Sequence, residues 1–122
     1  MSFIPFKTNK IAFESQHIRT PRDNEYLIFS RVTRQLQHAA SCVDRRVVIE
    51  AVNANNELWT TLLADLSEPG NGLPDPIKAG LLSLAIFSIR QGHRVLAESA
   101  STDVLIDINL RMMKGLRGEV QP

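Results

Sequence analysis

The stretch Arg45–Leu66, RRVVIEAVNANNELWTTLLADL, places Val48, Val52, Asn55, Trp59, Leu62 and Leu66 at alternating spacings of four and three, with Val47, Ala51, Leu58 and Leu63 beside that line. An α-helix brings residues three and four apart onto one face, whereas a strand needs a period of two. A stripe this continuous has to be buried against other elements. Asn55 is the only polar member of the central line. Asp44 stands just before the stretch, where its carboxylate can accept a backbone hydrogen bond as N-cap.

Three more segments carry the same period. TPRDNEYLIFSRVTRQLQHAAS starts with a cap and first-position pair, Thr20 and Pro21, and puts Asp23 and Glu25 in the first turn, where the helix dipole favours them. Phe29, Val32, Leu36, Ala39 and Val43 share one of its faces. PIKAGLLSLAIFSIRQGHRVLAES carries a broad stripe of Ile77, Leu81, Leu84, Ala85, Ile89 and Leu96, widened by Leu82, Ile86 and Phe87, with the small Ser88 and Gly92 near it. Such width predicts burial on several sides, and His93, which continues the stripe, is expected to be partly buried. In DVLIDINLRMMKGLRG, Leu105, Ile108, Met112 and Leu116 define one face, while Ile106, Leu110 and Met113 lie off it. Ser101 or Thr102 can cap that helix, and Gly115 or Gly118 can stop it.

Between the second and third helices runs LSEPGNGLPDPIK, Leu66–Lys78. Pro69 cannot continue a helix, and Gly70 and Gly72 tolerate backbone angles closed to other residues. Asp75 before Pro76 reads as a new N-cap and first position. The stretch is expected to be a rigid corner held by the Asn71 side chain; its rival role is a recognition loop. The expected fold is therefore all-α, a small antiparallel bundle of about four helices with a less regular N-terminal arm. The arm covers 1–19, a single helical domain 20–118 and a tail 119–122. Phe3, Ile4, Phe6, Ile11, Phe13 and Ile18 give the arm something to bury, against the body or with a partner.

The chain points away from several function classes. The longest apolar stretch falls far short of the roughly 20 residues of a membrane span, and the start lacks the apolar core of a signal peptide. A cytoplasmic protein without a membrane segment is expected. A net charge of +1 makes no demand for nucleic acid. His17, His38 and His93 share no metal spacing with Cys42 or with paired carboxylates. His38 and Cys42 are four apart, so a thiol–imidazole pair on one helix face is conceivable, against the plainer reading of a helix-end histidine near a small apolar cysteine. No metal, cofactor or enzymatic activity is expected. Arg31, Arg34, Arg45 and Arg46 gather around the first helix junction and either hold phosphates or form a solvated face. Asn55 and Asn109 sit beside apolar stripes, where an amide is costly unless paired. They either bond each other or a backbone and set helix register, or they await a partner's backbone.

Taken in order, Asn55, Leu58-Trp59, Asp65, Asn71-x-Leu73-Pro74, a long apolar helix, Leu105-Ile106-Asp107-Ile108-Asn109 and Gly115-Leu116 resemble the alphaproteobacterial FlaF family of flagellar biosynthesis regulators. TPRDNEY, Thr20–Tyr26, is similar to the start of that family, and the resemblance runs from about Thr20 to Gly118. Leu110 departs from it, standing where the family often carries Arg. The resemblance implies a non-enzymatic role in flagellum assembly, linked to flagellin synthesis and secretion and acting with or against the partner regulator FlbT. On that implication the protein is a flagellin-binding export chaperone, with partner contacts at Asn55, Leu58, Trp59, Leu62, Asn109, Leu110 and Met113. The alternative is a post-transcriptional regulator of flagellin mRNA, direct or through FlbT, with Arg31, Arg34, Arg45 and Arg46 on the RNA.

Overall fold

The computed structural model describes residues 21–116, which form four antiparallel helices: α1 Pro21–Ala40, α2 Arg45–Ser67, α3 Asp75–Glu98 and α4 Asp103–Leu116. Among the described residues there is no strand. The expected arm over 1–19, the Thr20 cap, the Gly118 stop and the 119–122 tail lie outside the described residues. Links of only four residues, 41–44 and 99–102, and a seven-residue corner, 68–74, make successive helices run antiparallel. α1 packs on α2 and α4, and α2 also packs on α3, but α3 meets α4 sparsely. Hence α1 and α3 stand at opposite corners.

The apolar faces close on a core in two parts. At the corner end, Phe29 and Val32 of α1 meet Leu58, Trp59, Leu62 and Leu66 of α2, Ala85 of α3, and Ile108 and Leu116 of α4. At the other end, Leu36, Ala39, Ala51, Val52, Val95 and Leu105 do the same. This grouping is the one expected of up-down-up-down helices, because each half of one helix meets the opposite half of the next.

Side chains settle the ends. Asp44 Oδ1 accepts from the Arg46 N–H at 3.0 Å, so the expected cap of α2 forms. The Arg45 guanidinium reaches across and donates to the carbonyls of Val95 at 3.1 Å and Leu96 at 2.7 Å, in the last turn of α3. Those carbonyls lie near the negative end of the α3 dipole, where a cation is favoured. α4 opens with the Ser101 hydroxyl accepting from the Asp103 N–H at 3.0 Å. At the corner, Asn71 is buried, and its Nδ2 donates to the Asp65 carbonyl at 3.2 Å while its Oδ1 accepts from the Leu73 N–H at 3.1 Å. Lys78 Nζ donates to the Asn71 carbonyl at 3.2 Å. Asn71 thus holds the turn as its position predicts.

Four expectations need correction. Asp75 is not a side-chain cap: α3 begins at Asp75 itself after Pro74, with no side-chain cap bond, so its carboxylate contributes only through the dipole. Val43 is fully exposed, because α1 stops at Ala40 and the residue falls in the link. His93 is exposed, not partly buried. Most consequentially, α3 is not buried on several sides. Its buried line is Ala85, Ser88, Gly92 and Val95, small residues that let α2 approach, and its larger apolar residues flank that line half-buried or exposed.

Gly92 marks the tightest point of that approach. A Cβ there would fall on the Oδ1 of Asn56 and lie 3.0 Å from its Cγ. Asn56 is itself half-buried with that Oδ1 unpaired, so it has little room to yield. Gly92→Ala gains about 1 kcal/mol of helix propensity but strains the contact by about 1–3 kcal/mol. The expected net result is a loss of about 1 kcal/mol in urea unfolding. A variant more stable than wild type would show that Asn56 turns aside freely.

Candidate partner-binding surface

Asn55 and Asn109 face each other across the bundle centre, both fully buried. Trp59 Nε1 donates to Asn109 Oδ1 at 2.9 Å, and Asn109 Nδ2 donates to Asn55 Oδ1 at 2.8 Å. The indole N–H is only a donor, so it fixes which way the Asn109 amide points, and Asn109 in turn fixes Asn55. Of the two readings open for these amides, the pairing across helices is the one formed. The Phe29 ring meets the Trp59 ring nearly edge-on, with centroids 5.5 Å apart and planes at 75°.

The residues of the expected partner site divide between the interior and the surface. Asn55, Leu58, Trp59, Leu62 and Asn109 are interior residues, each 2% exposed or less, because their side chains complete the core between α2 and α4. A partner on the closed bundle does not touch them. Leu110 is exposed and Met113 half-buried, both on the outer flank of α4. A larger apolar surface lies on the outside of α3, where Ile86 and Phe87 are 42% and 50% exposed beside the half-buried Leu82 and Ile89, while the exposed Ile77 lies half a turn around the helix from Ile86. The signal for it was the width of the α3 stripe, which exceeds what two neighbouring helices can cover.

The four arginines do not make one phosphate site. Arg45 is spent on the α3 carbonyls, and Arg46 forms an exposed ion pair with Asp44 at 3.6 Å. Arg31 and Arg34 are exposed on α1, and Arg34 lies about 9 Å along the axis from the end of α1 at 1.5 Å per residue. His38 is exposed on the last turn of α1, while Cys42 is half-buried in the link beyond it, so the two share no helix face. Among the described residues no three of His, Cys, Asp and Glu are grouped to hold a metal ion. None of the described helices is long and apolar enough to cross a membrane.

One carboxyl is out of balance. Burial, and then the charge of Glu68, raise the pKa of Asp65 above its ordinary 3.8. Its Oδ2 is buried without a hydrogen-bond partner, and it sits near the C-terminal end of α2, the wrong end of the dipole for an anion. A folded-state pKa above the unfolded one means that the folded protein holds the proton more tightly. The ionised group therefore costs stability at neutral pH, and that cost fades as pH falls through the raised value toward 3.8. Asp65→Asn is expected to raise Tm at pH 7, with the gain shrinking toward pH 4. A gain independent of pH would remove the charge as its cause.

Comparison with known families fits this arrangement of helices. A family model described as flagellar protein FlaF matches residues 10–116, a span that includes all four helices and the Asn71 corner. No curated relative and no solved structure matches the chain. The match covers most of the chain's length, and the chain belongs to the FlaF family of flagellar proteins.

Proposed function

We propose that this protein binds flagellin in the cytoplasm as an export chaperone, using the outer apolar surface of α3. The observation that carries this is the exposure of Ile86 and Phe87, next to the half-buried Leu82 and Ile89, on a helix whose buried line is mostly small residues. An apolar helix face left open on a bundle fits the apolar stripe of an amphipathic helix. A flagellin segment awaiting assembly has such a stripe to cover. Leu110 on α4 adds to the exposed apolar area. A FlbT-type regulator is the other protein partner that this role suggests. Direct binding of flagellin mRNA has less support, because Arg45 is committed to the α3 carbonyls.

Calorimetry with purified flagellin tests the proposal. Binding is expected at a Kd in the micromolar range or tighter, about −8 kcal/mol or better. Phe87→Ser and Ile86→Ser are expected to weaken it about tenfold each, as anchor residues do, with little change in Tm since both are exposed. No heat at high micromolar flagellin would refute the chaperone role.

A further inference from the structure

Between Asp75 and Glu98, α3 holds no acidic residue, yet it carries Lys78, Arg90 and Arg94. Residues three and four apart are neighbours on a helix surface. Arg90 therefore adjoins both Ile86 and Phe87 on one side and Arg94 on the other, and Ala79 and Ser83 extend the same line toward the start of the helix. All six are exposed, and the line points away from Ala85, Ser88, Gly92 and Val95, the buried residues of α3. The outer face of α3 is thus small at its start, apolar at its middle and basic beyond.

The cations differ in what they already hold. Lys78 Nζ donates to the Asn71 carbonyl, and Arg94 pairs with Glu98 at 3.5 Å. Arg90 has no hydrogen bond or ion pair among the described residues. It stands about 6 Å along the axis from Ile86 at 1.5 Å per residue, at the border of the apolar patch. A helix laid along this face to cover Ile86 and Phe87 runs over Arg90 as well. An anion one turn past its apolar residues meets the guanidinium there. A cation is repelled, and an apolar residue strips water from Arg90 without giving a bond in return.

We propose that the outer face of α3 selects an amphipathic helix with an acidic border: the segment it takes carries an Asp or Glu one turn from the apolar residues that cover Ile86 and Phe87, paired with Arg90. That this helix belongs to flagellin rests on the function proposed above.

Two synthetic helices test the preference on the full chain. They share one leucine stripe and differ at a single position one turn beyond it, Glu in one and Lys in the other. In calorimetry at low salt the Glu helix is expected to bind about fivefold tighter, since it gains a charge pair where the other meets a like charge. Arg90→Glu should reverse that order and Arg90→Gln should abolish it, and Arg90 is exposed, so both variants keep the fold. Raising salt to about 1 M, where the Debye length is about 3 Å, should shrink the difference. Ile86→Ser with Phe87→Ser should weaken both helices by the same factor. Equal affinities, an order unmoved by Arg90→Glu, or no binding of either helix at high micromolar concentration would overturn the proposal. So would a wild-type dimer in sedimentation that Phe87→Ser turns into a monomer, since a second copy then occupies the face.

Purified flagellin reads the consequence, with Arg90→Glu expected to weaken its binding about fivefold at low salt. Flagellin binding that ignores Arg90 would overturn the assignment of this border to flagellin and leave the chaperone role intact. Flagellin that binds no variant, beside helices that obey the charge order, would refute the chaperone role and leave the α3 preference established.

Discussion

Replacing Trp59 with alanine is expected to cost about 3–5 kcal/mol of stability, the range for deleting a buried large aromatic side chain. Trp59 is fully buried in the corner-end cluster and contributes on three counts. Its ring fills the space between α2 and the helices around it, its face or edge contact with Phe29 adds about 0.5–1.5 kcal/mol beyond area, and its Nε1 supplies the proton that orders Asn109. Alanine leaves a cavity and also strands the Asn109 oxygen. A domain of this size is stable by about 5–15 kcal/mol, so the variant sits near the edge of folding. Its Tm should fall by roughly 10–30 °C. Circular dichroism has to follow the melt, since Trp59 is the only tryptophan and its fluorescence leaves with it. Trp59→Phe restores most of the volume but not the N–H, and should recover part of the loss. A Trp59→Ala protein with wild-type Tm and no flagellin binding would put the ring on the partner surface, contrary to its burial.

Much of this core could be read before any coordinates. The four-three alternation of α2 identified the helix and its buried line, including Trp59. Asp44 and Asn71 were readable because a cap and an Asn-held turn use short local bonds that depend on few neighbours. Errors came where a local pattern continued past a tertiary boundary. Val43 extends the period of α1, but no glycine or proline marks the stop at Ala40. Asp75 has the residue type of a cap, yet the helix starts one position too early for it to serve as one.

The α3 surface was misread for a different reason. Periodicity gives weight to large apolar residues, so Ile77, Leu81, Leu84 and Ile89 stand in the expected stripe and Ile86 and Phe87 at its edge. The spacing between packed helices selects otherwise. Where Asn56 lies against Gly92, α2 and α3 are too close for a side chain larger than hydrogen, and the line Ala85, Ser88, Gly92, Val95 takes the interface. Ile86 and Phe87 are thereby turned outward, while Leu81, Leu82, Leu84 and Ile89 pack half-buried on the core. Sequence alone carried the surplus of apolar surface but not its direction, and the direction is what moves the candidate site from the Asn55–Trp59 face of α2 to the outside of α3.

Asn109→Leu is expected to cost about 2–4 kcal/mol, and more than Asn55→Leu. The two substitutions are close in volume change, so the difference comes from hydrogen bonds. Asn109 is the middle of the chain Trp59–Asn109–Asn55. Removing it orphans the indole N–H and the Asn55 oxygen together, at about 1–3 kcal/mol for each buried unpaired group. Removing Asn55 orphans only the Asn109 Nδ2, and it also eliminates Asn55 Nδ2, which already lacks a partner. Asn55→Leu should therefore cost about 1–2 kcal/mol. The double variant buries two leucines against each other and leaves only the indole N–H unpaired. It should be less destabilised than the sum of the singles by about 1–3 kcal/mol, the coupling expected of residues in one network. Because the network ties α2 to α4 inside the bundle, none of these variants should alter flagellin affinity while folded. Additive costs would mean that the two amides act independently and do not set the register of α4 on α2.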